Sequence, residues 1–360
     1  MFKDLKIIEL AGVLAGPSVG MFFSELGAKV IKIENPITGG DITRKWKLPS
    51  ENPENSKSAY YCSVNWNKEV IFADLGNDKD NKTITELIKD ADIVITNFKK
   101  GDDEKFGMDY NRLKKINKAL IYSSINGFGE NQDRTAFDVV LQAETGFMSM
   151  NGTSSSGSLK MPVALIDLLA AHQLKEAILL ALINRQKTGN GANVSVSLYE
   201  SAISSLANQA TNWLMNNHIP EKTGSLHPNI APYGETFSTL DNKEIVLAIG
   251  SDKHFSVLCD VLGKPQLAVS EAYSKNIMRV KNRKKLRKAL SSIFKNQLSI
   301  DLMNLFEKNS IPAGLVQNVK EVFENNAIAR NMILQETDEN YQISKRVKSV
   351  AFKADFLKSL

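Results

Sequence analysis

The chain has 360 residues, 42% of them hydrophobic and 24% charged, which exceeds the usual size of one hydrophobic core and points to two domains. Its formal net charge of +5 is modest for this length and does not mark a nucleic-acid partner. No apolar run reaches the ~20 uncharged residues of a bilayer span, the opening MFKDLKIIELAG has no signal-peptide core, and Cys62 and Cys259 stand far apart without a CxxC or a histidine cluster. The expectation is a cytoplasmic protein in a reducing compartment, with no membrane partner, disulfide framework or metal site.

In chain order, LKIIEL reads as a strand, Pro17 to Leu26 as a helix and AKVIKIE as a second strand. VIFADL, a helix around TITELIKDA, the strand DIVITNF, a helix near YNRLKKIN and the strand ALIYSSI follow. Strands alternating with helices at this spacing predict a parallel, doubly wound sheet. NGTSSSGS at 151–158 reads as a mobile loop, and VSVSLYESAISSLANQATNWL as a short strand running into a helix. MNNHIPEKTGSLHPNIAPYGE is loop-like; KEIVLAIG, SVLCDVLG and the basic helices to about 315 read as a separate small α+β unit. The predicted division is a large domain over 1–213 with 320–360 returning to it, a small domain over 236–310, and linkers at 214–235 and 311–325. The basic run RVKNRKKLRKAL (279–290) lacks interleaved aromatics and reads as a solvated helix face with Val280, Leu286 and Leu290 turned inward.

In an open α/β sheet the ligand crevice lies outside the carboxyl ends of the strands. Four loops fall there: AGVLAGP (11–17), Asn35 with Pro36, Asn97 with Phe98, and NGFGE (126–130). The Gly16-Pro17 boundary would bring helix N-terminal amides into the crevice. The chain has no GxGxxG after its first strand, no GxxxxGK[ST], no GxSxG and no HExxH, so nicotinamide, P-loop, serine-hydrolase and zinc readings lack their signatures. One carboxylate stands out. Asp167 interrupts the apolar run MPVALIDLLAAHQLKEAILLALINR, which reads as a helix buried on several sides. Two readings are open for it: a helix N-cap, or a desolvated carboxylate facing the crevice, kept ionised by the helix dipole and able to attack an activated acyl group.

Taken together, KIIELAGVLAGPSVGMFFSELGAKVIKIENPITGGDITR, NWNKEVIFADL, DADIVITNFKKGDDEKFGMDY, LIYSSINGFGE, AFDVVLQAETGFMSMNG, PVALIDLLAAHQ with its RQKTGNG exit, HPNIAPYGETFSTLDN and IPAGLVQNVKEVFEN resemble the class III coenzyme A transferases (CaiB/BaiF type). The resemblance runs nearly the whole chain. It implies a large Rossmann-like domain with a parallel sheet, a smaller α+β domain, and two subunits threaded through one another as an interlocked homodimer. It also implies an acyl-CoA donor, a carboxylic acid acceptor, coenzyme A as substrate and no permanently bound cofactor. Asp167 falls at the position of the family's nucleophile, which carries first the acyl group and then CoA. Val13, Ala15, Asn97, Phe98 and Lys105 fall at CoA-contact positions, Lys105 in place of a common arginine, which loses the bidentate fork. Asp138 matches an acidic position near the nucleophile, where it would help set the pKa of Asp167, with a strand-to-helix cap as its other reading.

Four further departures qualify the match. The related α-methylacyl-CoA racemases pair the aspartate with a histidine that falls at Phe137 here, and phenylalanine moves no proton. Leu14 and Asn35 stand where formyl-CoA transferases carry glutamine and arginine, and their glycine-rich flap is missing, so formate and oxalate fit poorly. Lys32, Arg44 and Lys68 are open either as replacement phosphate ligands or as surface cations. Transferase is the leading reading; an acyl-CoA racemase or epimerase and a non-catalytic acyl-CoA-binding protein are the alternatives.

Overall fold

The computed structural model describes residues 2–129, 132–337 and 343–357; Glu130 of the NGFGE loop and the last three residues of the returning C-terminus lie outside the described residues. The chain divides into two compact units, one of residues 1–149, 160–220 and 331–360, the other of 150–159 and 221–330.

The first unit is built on β1 (Lys6–Leu10), β2 (Lys29–Glu34), β3 (Glu69–Phe72), β4 (Ile93–Thr96), β5 (Ile121–Asn126) and β6 (Ala192–Ser197). All are parallel, in the order β3-β2-β1-β4-β5-β6, so strand order reverses between β1 and β4. The helices in chain order are α1 (Ala15–Glu25), α2 (Ala59–Cys62), α3 (Asp78–Lys89), α4 (Asp102–Phe106), α5 (Tyr110–Ile116), α6 (Asp138–Glu144), α7 (Phe147–Met150), α8 (Leu165–Thr188), α9 (Leu198–Ser204) and α10 (Asn208–Asn216). Period-two alternation sorts the strand residues between two cores. Ile7, Ile93 and Ile121 face Val19 and Phe23 of α1 and Leu174 and Ile178 of α8. Ile8, Ile31 and Val94 face Ile84 and Ile88 of α3 and Leu113 of α5. The expectation that α8 is buried on several sides holds only up to Ala171; beyond it one face stays buried (Leu174, Ile178, Ala181) while His172, Gln173, Leu180 and Ile183 are exposed.

The second unit has a three-stranded antiparallel sheet, β7 (Tyr233–Ser238), β8 (Glu244–Ala248) and β9 (Ala313–Leu315), with β8 in the middle. Around it lie α11 (Asp252–Val261), α12 (Pro265–Val269), α13 (Asn276–Lys281), α14 (Arg283–Phe294), α15 (Ser299–Lys308), α16 (Val319–Asn325) and α17 (Ala327–Asn331). Phe237, Phe294 and Phe306 centre its core, with Phe237 and Phe294 stacked at 4.7 Å. The 151–158 segment is a closed turn rather than a free loop: Thr153 and Ser156 exchange hydrogen bonds and the Leu159 amide donates to Asn151. Residues 311–325 are no linker here, because β9 pairs with β8 and Lys243 holds Glu321. The chain rejoins the first unit at Asn331, not at residue 320. There β10 (Ile333–Thr337) and β11 (Ile343–Val347) pair antiparallel, and Glu25 accepts the amides of Ser349 and Val350.

Leu286 and Leu290 of the basic run point inward and Val280 is half-buried, but Arg279 is fully buried instead of solvated. Its Nε donates to the Ala231 carbonyl at 2.7 Å, Nη1 to that of Tyr273 at 2.9 Å, Nη2 pairs with Asp252, and its guanidinium lies over Phe255. Arg279→Met is therefore expected to lower the stability of this unit by about 2–4 kcal/mol, since the carbonyls it serves lose their donor. An unchanged urea midpoint for the second unit would contradict that role.

Candidate active site

The loops at the carboxyl ends of β1, β4 and β5 meet the start of α8 around a cavity of about 260 Å³. Val13, Ala15, Asn97, Phe98, Asp138 and Asp167 line it together. Phe137 is also in its wall; among the described residues no histidine is. Asn35 lines an adjoining cleft of about 220 Å³ with Gly12, Phe98 and Phe106. Lys105, on α4, lies in the lining of neither space; its Nζ sits 5.1 Å from the Phe106 ring. No group of three or more histidine, cysteine or acidic residues could hold a metal among the described residues, and no described helix is long and apolar enough to cross a membrane.

Asp167 is not an N-cap. The helix begins at Leu165, the cap position is Ala164 without a side-chain cap, and Asp167 stands in the first turn, 9% exposed. Its carboxylate has no hydrogen-bond partner among the described residues. The capping is done from elsewhere: Asp138 Oδ1 accepts the Ile166 amide at 2.7 Å, while Oδ2 accepts Gln142 Nε2 at 2.5 Å. Gln142 is held in turn by the Met161 amide at 2.7 Å. Asp138 is thus not the cap of its own helix, α6, whose cap position is Phe137; it serves α8. Burial first, and then the Asp138 charge, push the Asp167 carboxyl up to about 7. The helix dipole, expected from the sequence to keep it ionised, is worth less than the solvation lost.

Tyr60 went unread in the sequence altogether, as did the contacts that Asn97 makes. Tyr60, which packs edge-on against Trp46, has its ionisation pushed up to about 12 by burial and then by Asp167, Asp138 and Asp41, so near neutrality it is a protonated phenol among carboxylates. Asn97 is committed to the loop opposite: its side chain accepts the Gly12 amide at 3.1 Å and donates to the Gly12 carbonyl at 2.9 Å, tying the β1 and β4 loops across the switch point. Periodicity reveals neither, because each depends on a partner distant in sequence.

Lys32, Arg44 and Lys68 are neither surface cations nor free for phosphate. Lys32 pairs with Glu9 and Asp41, Lys68 with Glu9, and Arg44 with Glu34 and the Tyr61 hydroxyl. Lys99, Lys100 and Arg134 are exposed cations on the wall of the cavity that holds Asp167, and of the three Arg134 is paired, with Glu144.

A doubly wound sheet whose switch-point crevice holds a buried carboxylate has the layout of an α/β enzyme that binds its ligand outside the carboxyl ends of the strands. The chain belongs to CoA-transferase family III and is a CoA-transferase: the family model matches residues 2–358. It is 38% identical to the succinate–glutarate CoA-transferase of Agrobacterium fabrum over 89% of this chain and 81% of that protein. It is 34% identical to the human succinyl-CoA:glutarate CoA-transferase over 93% of this chain and 76% of that one. A CaiB/BaiF family protein from Brucella suis shares its structure with a TM-score of 0.86 at 36% identity, covering 98% of this chain and 92% of the other.

Proposed function

We propose that the protein moves coenzyme A from an acyl-CoA donor to a carboxylic acid through covalent intermediates on Asp167. A carboxylate oxygen of Asp167 attacks the thioester carbonyl, the C–S bond breaks, and CoA leaves as the thiolate, giving a mixed anhydride. The thiolate attacks the aspartyl carbonyl, releasing the donor acid and leaving an aspartyl-CoA thioester. The acceptor carboxylate reverses the sequence: it displaces the thiolate to form a second anhydride, and the thiolate attacks the acceptor carbonyl, freeing Asp167. Each step exchanges bonds of similar reactivity. The observation that carries this reading is a buried carboxylate without hydrogen bonds on the wall of a crevice. Val13, Ala15 and Phe98 contact CoA in this reading, Asn97 shapes their loop, and Lys99 and Lys100 meet its phosphates. The substrates in the names of the relatives above, succinate and glutarate, make short dicarboxylic acids the first acceptors to test and succinyl-CoA the first donor. Phe137, on the cavity wall, disfavours proton exchange at the α carbon.

Trapping tests the reading. Incubation with succinyl-CoA followed by borohydride is expected to reduce the Asp167 thioester, shifting the mass of one peptide; label on another residue, or none with any donor that turns over, would sink it. The ionisation of Asp167 gives a second check. Transfer is expected to decline below about pH 7 as the nucleophile takes up a proton. Asp138→Asn removes the adjacent charge and is expected to move that acid limb down by about one pH unit. An acid limb that stays put, measured as kcat/KM against pH, would separate Asp138 from the nucleophile.

The same reading includes a homodimer. Leu180 and Ile183 on α8, with Ile203, Trp213, Leu214 and Met215 on and after α9, are exposed in the single chain, an apolar surface that a second copy would cover. Sedimentation at micromolar concentration is expected to give twice the chain mass.

A further inference from the structure

Val13 sits at φ +71, in the left-handed region that a β-branched residue rarely adopts. Something must hold it. Its amide donates to Asp41 Oδ2 at 3.1 Å; Oδ1 of the same carboxylate accepts the amide and hydroxyl of Thr43 at 3.0 and 2.8 Å. Asp41 Oδ2 lies 3.1 Å from Lys32 Nζ, which also donates to Glu9 at 3.0 Å and to the Ala11 carbonyl at 2.6 Å. Glu9 and Lys32 are register partners on β1 and β2, and both are 0% exposed. Lys68 closes the set behind them, donating to Glu9 and to the Pro17 carbonyl. Burial alone would raise the Asp41 carboxyl, but the Lys32 ammonium and the Thr43 donors outweigh it and hold it below the ordinary range. The β1–α1 loop is therefore gripped at two points by one buried charge pair, the Ala11 carbonyl by Lys32 and the Val13 amide by Asp41. The residues between and after them, Gly12 to Ala15, form the wall of the cavity that holds Asp167.

We propose that Asp41, held by Lys32, is a positioning residue for CoA transfer: it keeps Val13 in its left-handed conformation and so fixes the loop wall beside the nucleophile. The proposal rests on the transfer reading above for its kinetic part and on geometry alone for its structural part. Asp41 touches no reacting atom. Its effect runs through one backbone amide, so glycine at position 13, which adopts φ +71 without a Cβ penalty, should make Asp41 partly dispensable.

The test is a rescue. Asp41→Ala is expected to lower kcat/KM for succinyl-CoA about 10- to 100-fold, the range that corresponds to losing the hold on one strained residue. Adding Val13→Gly is expected to recover about tenfold or more relative to Asp41→Ala alone. A merely structural role, in which Asp41 only neutralises Lys32, would give no such recovery. Should Asp41→Ala fail to fold, Asp41→Asn keeps an acceptor for the amide while losing the pair with Lys32, and the same recovery by Val13→Gly is expected at smaller amplitude. A crystal structure of the folded Asp41 variant decides the geometric part without any assay: Val13 is expected at negative φ. Full activity in Asp41→Ala, no recovery on adding Val13→Gly, or Val13 still at positive φ would each overturn the proposal. Failure of the wild-type protein to label Asp167 would overturn the transfer reading and leave the loop geometry to the crystal structure.

Discussion

Asp167→Asn is expected to lower CoA transfer by on the order of 10³-fold or more and, at the same time, to make the first unit more stable at pH 8. The first effect follows from removing the only atoms that form the covalent intermediates in the proposed reaction. The second follows from linkage. The carboxyl titrates at about 7 in the folded chain against an ordinary value of 3.8. Between those values the folded chain holds a proton that the unfolded chain has released, so stability falls as pH rises through this window, and above it the whole penalty is present. Three pH units correspond to at most ~4 kcal/mol. Asparagine carries no charge and escapes the penalty. Urea unfolding of the two proteins should therefore diverge from about pH 4 upward and stay apart above pH 7, with the variant the more stable. Equal stability at pH 8 would mean that the carboxylate is solvated in the native protein, and the account of its reactivity would fail with it.

Gly20→Ala is expected to destabilise the first unit strongly, although the added group is a single methyl. Gly20 lies inside α1, where alanine would ordinarily gain about 1 kcal/mol in helix propensity. A Cβ there would stand 1.9 Å from Glu9 Oε2 and 3.3 Å from Lys68 Nζ. In most places such a clash is relieved by moving the end of a flexible side chain. Glu9 has no such freedom, because it is fully buried and held by Lys32 and Lys68 together. Breaking a buried ion pair costs about 3–5 kcal/mol, which outweighs the propensity gain and leaves a net loss of roughly 2–4 kcal/mol. A urea midpoint equal to or above that of the wild type would show that the charge network yields easily, and would weaken the case for Asp41 as well.

Much of the first unit was legible in the sequence because its strands are short apolar runs separated by helices, and the parallel sheet follows from that alternation. The crevice followed from the same rule, and the loops at 11–17, 97–98 and 126–127 do converge there. Asp167 was visible as a charge interrupting an apolar helix. Its lack of a capping role was not, because the residue that caps α8 lies 28 positions upstream and belongs to another helix. The sequence left Lys32, Lys68 and Arg44 open as phosphate ligands or surface cations, since their carboxylate partners are 9 to 59 positions away. The pair β10–β11 escaped because ILQET and ISKRV are polar, and a strand that is mostly exposed leaves little hydrophobic signature. Arg279 shows the converse: a basic run suggests solvent, yet one of its members is wholly enclosed by backbone carbonyls and a phenylalanine ring.

The double service of Asp138 constrains how sequences of this kind can drift. One oxygen closes the end of α8, and the charge on the same group adds to burial, the larger cause, in holding a proton on Asp167 up to about pH 7. A neutral residue without an acceptor at 138 would lower the pH at which the nucleophile ionises while leaving the Ile166 amide bare. Position 138 is therefore expected to vary only together with the helix start or with the nucleophile's surroundings, and in a set of related chains its substitutions should appear in company with changes at 142, 161 or 164 rather than alone.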